Sequence, residues 1–137
     1  MTVDVKICGL STPEAVKASA AGGARYIGFV FFPRSPRHVQ PTVAAELGGY
    51  APGAVERVGL VVDADDEALA AIVPVANLQR LQLHGRESPE RVAEVRHRFG
   101  LPVIKALPIA GSADVAAARA YETVADMLLF DAKPPPG

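Results

Sequence analysis

Cysteine and unbalanced charge are both scarce in this sequence, and each shortage excludes a class of protein. Cys8 is the only cysteine, so the chain can form neither an internal disulfide nor a cysteine-rich metal site. Its 14 Lys and Arg nearly cancel its 15 Asp and Glu, which argues against nucleic acid or a membrane surface as a partner. The three histidines are scattered and lack metal-ligand spacing. No metal site is therefore predicted.

Long hydrophobic runs and a secretion signal are also missing. No apolar stretch approaches the length needed to cross a bilayer, and the N-terminus lacks a basic-then-apolar signal segment. These absences predict a cytoplasmic protein. With 137 residues and 50% hydrophobic composition, the chain can bury the core of a single domain over residues 1–137. Ten of the basic residues are Arg, a side chain suited to carboxylate and phosphate groups, which is compatible with a small anionic ligand.

What the sequence does contain is a regular alternation of predicted strands and helices. The predicted strands cover residues 3–8, 26–31, 58–62, 81–84, 102–106 and 127–131. Thr12 is the expected cap of the first helix, which Gly22 and Gly23 end. Four further helices are predicted: from Pro41 to Gly48, from a cap at Asp63 or Asp65 to Ile72, from a start at Ser88 to Gly100, and from a cap at Ser112 to about Glu122. Residues 134–137 form a predicted terminal loop.

Strand–helix units in series indicate parallel strands joined by right-handed crossovers. Two architectures fit this pattern. One is a β/α barrel of eight strands, here incomplete with about six, in which all helices lie on one side of the sheet. The other is an open, doubly wound sheet with helices on both faces. The second would suit a binding or signalling module without catalysis.

Two predicted strands end in a reactive side chain. The first ends at Cys8 and the sixth at Asp131. Because the carboxyl ends of parallel strands meet at one edge of a sheet, the thiol and the carboxyl group can form a base and acid pair. Each also has a structural interpretation, since Cys8 could be a small buried side chain and Asp131 could bond the following backbone.

Five stretches resemble phosphoribosylanthranilate isomerases, in the right order and at similar spacing. They are residues 5–10 (VKICGL), 28–37 (GFVFFPRSPR), 58–61 (VGLV), 81–85 (LQLHG) and 129–131 (LFD). The resemblance implies a (β/α)8 TIM barrel and an Amadori rearrangement of N-(5-phosphoribosyl)anthranilate in tryptophan biosynthesis, without a cofactor. It also implies that Cys8 is the general base and Asp131 the general acid, and that Arg37 meets the anthranilate carboxylate. His84 and Gln82 match residues of the active-site wall.

The family barrel is longer than this chain. The last two strand–helix units, whose Gly-rich loops hold the substrate phosphate in that family, have no counterpart here. We therefore expect residues 1–137 to be the N-terminal part of a barrel, with the missing C-terminal part as a partner and with little activity of their own.

The proposed chemistry sets conditions on both reactive groups. Cys8 can act as a base only as a thiolate, and a free thiol has a pKa of about 8.5. Asp131 must be protonated to act as an acid, and the preceding Leu128, Leu129 and Phe130 predict an apolar setting that favours that form. A different phosphosugar enzyme on the same fold would need a lysine base, for which Lys105 is the near candidate. Arg37 could otherwise be a solvated loop residue, and His84 could simply bond the backbone at its strand end.

Overall fold

The computed structural model describes residues 2–133, so the loop predicted for residues 134–137 lies outside the described part. Strands and helices alternate throughout it. The strands are β1 (Lys6–Ile7), β2 (Tyr26–Val30), β3 (Glu56–Val61), β4 (Arg80–Leu83), β5 (Val103–Ile109) and β6 (Met127–Ala132). The helices are α1 (Pro13–Ala21), α2 (Pro41–Gly48), α3 (Asp66–Ala76), α4 (Pro89–Phe99) and α5 (Ser112–Ala118), which a 3₁₀ turn at Arg119–Tyr121 follows. No helix within residues 2–133 has the length and hydrophobicity to span a bilayer.

The six strands form one sheet in the order in which they occur in the chain, and every neighbouring pair is parallel. Because each crossover moves one strand in the same direction, right-handed connections place all the helices on one face. A doubly wound sheet instead reverses its strand order at a switch point. The barrel prediction is therefore confirmed, with six parallel strands forming a curled half-barrel, and the open-sheet alternative is wrong.

The two faces of the sheet have different cores. The face that packs against the helices holds the large hydrophobic cluster, to which β2 contributes Ile27 and Phe29 and β4 contributes Leu81 and Leu83. The inner face holds a small separate cluster of Tyr26, Val58, Ile104 and Leu129. These four come from β2, β3, β5 and β6, so the sheet must curl enough for strands that are not neighbours to touch. The curl turns the inner face into a barrel interior.

Local capping signals explain where several helices begin. The Thr12 hydroxyl accepts a hydrogen bond from the Ala15 N–H at 3.2 Å. Asp65 does the same for α3 and Ser88 for α4, through donors at 2.8 and 3.1 Å. Such side chains replace the missing partners of the first helical turn. These predicted caps are confirmed.

Two other predicted caps are wrong. Asp63 has a left-handed backbone (φ 49°), and its carboxylate accepts a hydrogen bond from the Arg86 N–H at 2.8 Å instead of capping α3. Ser112 is the first residue of α5 rather than its cap, because Gly111 occupies that position without a side chain to donate or accept. The α-helical part of this segment ends at Ala118, short of the predicted Glu122.

Strand and helix lengths also differ from prediction. β1 is two residues long, shorter than the predicted strand over residues 3–8, and it pairs with β2 at both positions. β5 continues to Ile109 because β6 pairs with it over six positions, including Asp131 beside Pro108. Helix α3 passes the predicted end at Ile72 and includes Pro74. Proline has no backbone N–H, so one hydrogen bond of the helix is lost there. The loss is tolerated because Pro74 lies in the last turn of α3.

Candidate active site

A cleft of about 400 Å³ opens at the carboxyl ends of β3 to β6. Its walls include Asp63, His84, Arg86, Pro108 and Asp131. In barrels of parallel strands this end of the sheet carries the catalytic groups, because side chains from several strands converge there. The cleft therefore brings together two of the five side chains that the sequence singled out.

His84 and Asp131 form a direct contact in this cleft. The His84 Nε2 lies 3.4 Å from the Asp131 Oδ2. On its other side, His84 Nδ1 lies 3.0 Å from the amide nitrogen of Gln82, which donates to it. Accepting at Nδ1 leaves the proton of a neutral ring on Nε2, facing Asp131. The three residues thus form a chain of polar contacts from the barrel interior to the cleft.

Gln82 is the buried end of this chain. It is 2% exposed and lies on the inner face of β4, since its neighbours Leu81 and Leu83 pack on the helix side. Within the described residues its Oε1 is buried without a hydrogen-bond partner. An amide oxygen that is buried without a partner lowers the stability of the fold, so its presence calls for an explanation. Here the nitrogen of the same amide donates to His84 and orients its ring.

Within residues 2–133, the Asp131 side chain does not have the apolar setting that the sequence predicted. Its side chain is 57% exposed and faces His84 rather than a hydrocarbon wall. The physical reason is strand alternation, which places Leu128 and Phe130 on the opposite face of β6, where Phe130 is itself exposed. Only Leu129 shares a face with Asp131, and it lies one step deeper, in the inner cluster.

Cys8 lies just past the end of β1 and packs against β2. A Cβ atom added to Gly28 would lie 2.9 Å from the Cys8 sulfur, so this glycine provides the space that the thiol occupies. The backbone N–H groups of Gly9 and Leu10 both donate to the Gly28 carbonyl, at 3.0 and 3.1 Å. Cys8 is partly exposed. Gly28 lies two residues after Tyr26 on β2, so both residues are on the inner face of the half-barrel. Because the Cys8 side chain lies against Gly28, it is on the inner face as well.

Arg37 lies beside Cys8 in the loop after β2. A Cβ atom on Gly9 would lie 2.5 Å from the Arg37 Cδ, and Gly9 also has a positive φ of 77°. Glycine is therefore required at this position both for its backbone conformation and for the close approach of the arginine. Ser35 supports the loop by accepting a hydrogen bond from the Arg37 N–H at 3.1 Å. Arg37 thus packs against the residue that follows Cys8, while Gln82, His84 and Asp131 form a separate set of contacts on β4 and β6.

Lys105, the candidate base of the rival enzyme, faces the helices. It shares that side of β5 with Val103 and is 1% exposed. Its ammonium lies 2.7 Å from the Glu87 carboxylate and donates to the Gly85 carbonyl at 2.8 Å. The same residue on a strand of a β/α barrel could have been a polar residue of the interior, but it points to the helices, and this orientation removes it as a base at the cleft.

Glu87 was not identified from the sequence, yet it ties the cleft loops together. Its carboxylate accepts hydrogen bonds from the N–H groups of Gly85 and Asp63, both at 2.9 Å. Its backbone carbonyl accepts a bond from the Tyr121 hydroxyl at 2.7 Å. Burial, reinforced by the charges of Glu87 and Glu90, raises the pKa of the Tyr121 phenol, so this donor keeps its proton. No local pattern signals the role of Glu87, because three of its four partners, Asp63, Lys105 and Tyr121, come from distant parts of the chain.

No group of three His, Cys, Asp or Glu side chains among residues 2–133 is arranged to hold a metal ion. In the cleft, His84 contacts Gln82 and Asp131, and the Asp63 carboxylate accepts a hydrogen bond from the Arg86 backbone N–H.

Comparison with known proteins gives a consistent result. The family described as N-(5'phosphoribosyl)anthranilate (PRA) isomerase matches residues 5–135. N-(5'-phosphoribosyl)anthranilate isomerase from Parvibaculum lavamentivorans is 53% identical over 135 residues, which are 98% of this chain and 63% of that protein. The crystal structure of phosphoribosyl anthranilate isomerase from Thermotoga maritima superimposes with a TM-score of 0.90 at 33% identity, over 99% of this chain and 64% of that one.

A further structure shows an enzyme of this name in complex with reduced 1-(o-carboxyphenylamino)-1-deoxyribulose 5-phosphate. It is 32% identical to this chain, with a TM-score of 0.88, and the match covers 96% of this chain and 66% of that one. The chain spans about 63% of the length of the curated relatives that it matches.

Proposed function

The chain belongs to the N-(5'-phosphoribosyl)anthranilate isomerase family, and from this membership we propose that the barrel containing it is an isomerase of tryptophan biosynthesis. The substrate is N-(5-phosphoribosyl)anthranilate and the product is 1-(2-carboxyphenylamino)-1-deoxyribulose 5-phosphate. The observation that carries the proposal is the cleft at the carboxyl ends of the strands, where His84 and Asp131 meet. The same edge of the sheet carries Cys8 and Arg37 at its other end.

In the first step, Asp131 donates a proton to the oxygen of the furanose ring. The ring opens, and the nitrogen of the anthranilate forms a Schiff base with the first sugar carbon. Asp131 becomes a carboxylate, which accepts a hydrogen bond from the protonated Nε2 of His84, 3.4 Å away. A donor aimed at a charge that develops during the reaction lowers the barrier more than one aimed at the ground state.

In the second step, the Cys8 thiolate removes the proton from the second sugar carbon. The resulting enolamine takes a proton at the first carbon and loses one from its hydroxyl group, which gives the ketone. One group has donated a proton and another has accepted one, so the reaction needs no net oxidant or reductant. A proton from solvent restores Asp131, and the thiol returns its proton to solvent.

Arg37 binds the carboxylate of the anthranilate ring. A guanidinium group presents paired donors that match the two oxygens of a carboxylate. The position of Arg37 against Gly9, next to Cys8, supports this role because the anthranilate must lie near the carbons from which the thiol takes its proton. Gln82 contributes by orienting His84 rather than by contacting the sugar.

The phosphate of the substrate is held by the C-terminal part of the barrel, which is the partner of residues 1–137. In TIM barrels the loops after strands seven and eight commonly bind phosphate. Remote binding energy of this kind is used to position the reacting centre. We therefore expect residues 1–137 to constitute the N-terminal part of one cytoplasmic domain and to turn over little substrate alone.

Turnover by a complete barrel containing this chain tests the proposal. N-(5-phosphoribosyl)anthranilate is supplied, and the product is separated and identified by mass spectrometry and its carbonyl reactivity. Product with the same mass as the substrate and a new keto group is expected. A substrate that remains unchanged, or one that is hydrolysed to anthranilate at the same rate as without protein, would contradict the proposal.

A further inference from the structure

We propose that Lys6 is a positioning residue for the reaction, and that its ammonium group stabilises the Cys8 thiolate from inside the barrel. The inference rests on the proposed function, because it explains how the thiol that acts as a base becomes ionised. Nothing in the resemblance to the family assigned a role to Lys6.

The geometry that supports this inference centres on Gly28. A Cβ atom added to Gly28 would lie 2.9 Å from the Cys8 Sγ and 3.2 Å from the Lys6 Nζ. The Cys8 Sγ and the Lys6 Nζ are therefore at most about 6 Å apart. Lys6 and Cys8 are separated by two positions along an extended chain, so both side chains point to the same face of the sheet. Gly28 leaves the space in which they approach each other.

Charge at this distance changes the state of a thiol. An opposite charge within about 4–6 Å favours the ionised form of a group, and lysines next to reactive cysteines act in this way. The effect is larger in a partly dehydrated interior than in water, because the effective dielectric constant is lower. A thiolate that is ready before the substrate arrives does not have to lose its proton during the reaction.

Lys6 has no ion-pair partner on the strands and helices that the structure describes. Among residues 2–133, no carboxylate oxygen lies within 4 Å of its ammonium. Asp4 lines the same inner cavity as Lys6 and Tyr26, but it lies 3.7 Å from Arg25.

The other charged group that approaches Cys8 is Arg37, which comes from the loop after β2 and packs on Gly9. Arg37 has its own proposed partner in the anthranilate carboxylate. Tyr26 pairs with Lys6 across β1 and β2 and carries no carboxylate that could neutralise the ammonium. Lys6 is therefore the cation on the inner face whose role no other proposed interaction explains.

The rate at which iodoacetamide alkylates Cys8 tests the inference without any need for turnover. Because only the thiolate reacts, the rate follows the ionised fraction of the sulfur. Wild type, Lys6→Met and Lys6→Arg are compared in the complete barrel, with labelling assigned to Cys8 by peptide mass spectrometry. Lys17→Met is the matched control, since Lys17 stacks on Tyr50 and its side chain has no proposed contact with the thiol.

Near pH 7 we expect Lys6→Met to react on the order of tenfold more slowly than wild type, because a smaller fraction of the thiol is ionised. Lys6→Arg should keep most of the wild-type rate, and Lys17→Met should keep all of it. Near pH 10 the Lys6→Met and wild-type rates should converge, because the sulfur is then largely ionised with or without the lysine.

Two results would overturn the inference. One is an unchanged rate in Lys6→Met near pH 7, and the other is a rate lowered by the same factor at every pH, which would show altered access rather than altered ionisation. Failure of the proposed function gives a different result: Lys6→Met slows alkylation, but Cys8→Ala keeps full isomerase turnover. The two proposals can therefore fail separately.

Discussion

Strands β4 and β1 both carry proposed active-site residues near their carboxyl ends, but the structure holds them in different ways. β4 lies in the middle of the sheet, and Leu81 and Leu83 on it are almost fully buried. Within residues 2–133, β1 pairs with β2 alone, over two residues, and 38% of Ile7 is exposed. The loop after β4 is further fixed by Glu87, whereas the segment after β1 depends on its contacts with Gly28.

His84 and Cys8 are therefore held in place by different kinds of interaction. The orientation of His84 is set by the folded interior, through Gln82 on one side and the Glu87–Lys105 pair behind the loop. The position of Cys8 is set by a close approach of two backbones that only glycine allows. Changes behind β4 should therefore cost mainly stability, and changes around β1 should cost mainly activity.

Removing one member of the buried ion pair should have the largest effect on stability. Lys105→Met leaves the Glu87 carboxylate buried without its cation, and breaking such a pair typically costs about 3–5 kcal/mol. Urea unfolding followed by circular dichroism measures the change. Arg98→Met is the matched control, because Arg98 pairs with Asp66 at an exposed site and should change stability little. Equal losses in the two variants would contradict the role given to the pair.

Gly28→Ala should test the β1 side with a smaller cost in stability. The new methyl group would lie 2.9 Å from the Cys8 sulfur, so β1 must shift or the thiol must rotate. Overpacking of this kind costs about 1–3 kcal/mol, and turnover should fall more than stability suggests. Gly53→Ala is the control, since no atom lies within 4 Å of its added methyl group. Full turnover in Gly28→Ala would show that the position of Cys8 does not depend on this contact.

On the β4 side, Gln82→Leu should disturb the orientation of the His84 ring without a large loss of folding free energy. Because one amide oxygen is already buried without a partner among residues 2–133, removing the amide should cost little folding free energy. The loss of the Nδ1 contact frees the His84 ring, and kcat should fall on the order of tenfold while KM changes less. Gln40→Leu is the control, since Gln40 precedes α2 without a capping bond. A variant with unchanged kcat would remove Gln82 from the chain of polar contacts.

The helix caps on the two sides should show the smallest difference. Thr12→Ala removes the cap of α1, which follows β1, and Ser88→Ala removes the cap of α4, which follows the β4 loop. Each should lower the unfolding free energy by about 1 kcal/mol. Thermal unfolding compares them. A much larger loss for Ser88→Ala would show that the cap also supports the loop that Glu87 holds.

The parts of the fold that depend on neighbouring residues were predictable from the sequence. Thr12, Asp65 and Ser88 act on donors three positions away, so the pattern contains all of the information needed for them. The serial order of strands and helices predicted parallel strands but left both the barrel and the open sheet possible, and the resemblance to the family favoured the barrel. The resemblance to the family then supplied the site residues that the pattern could not select.

The features that were missed depend on distant or three-dimensional relations. Glu87 and Lys105 are 18 positions apart, and nothing local indicates that they pair on the helix side of the sheet. The exposure of Asp131 follows from strand alternation, which places its apolar neighbour Phe130 on the opposite face. The importance of Gly28 appears only when the atoms that surround its missing side chain are known.

The assignment of base and acid is tested most directly by turnover of two single variants in a complete barrel. Cys8→Ser and Asp131→Asn are compared with wild type and with Glu122→Gln, a carboxylate-to-amide change at an exposed residue. The loss of substrate fluorescence gives the rate. Removing a positioned acid or base typically costs about 10²- to 10⁴-fold, so both variants should fall in that range while Glu122→Gln keeps the wild-type rate. Near wild-type turnover in either Cys8→Ser or Asp131→Asn, with the fold intact, would contradict the assignment.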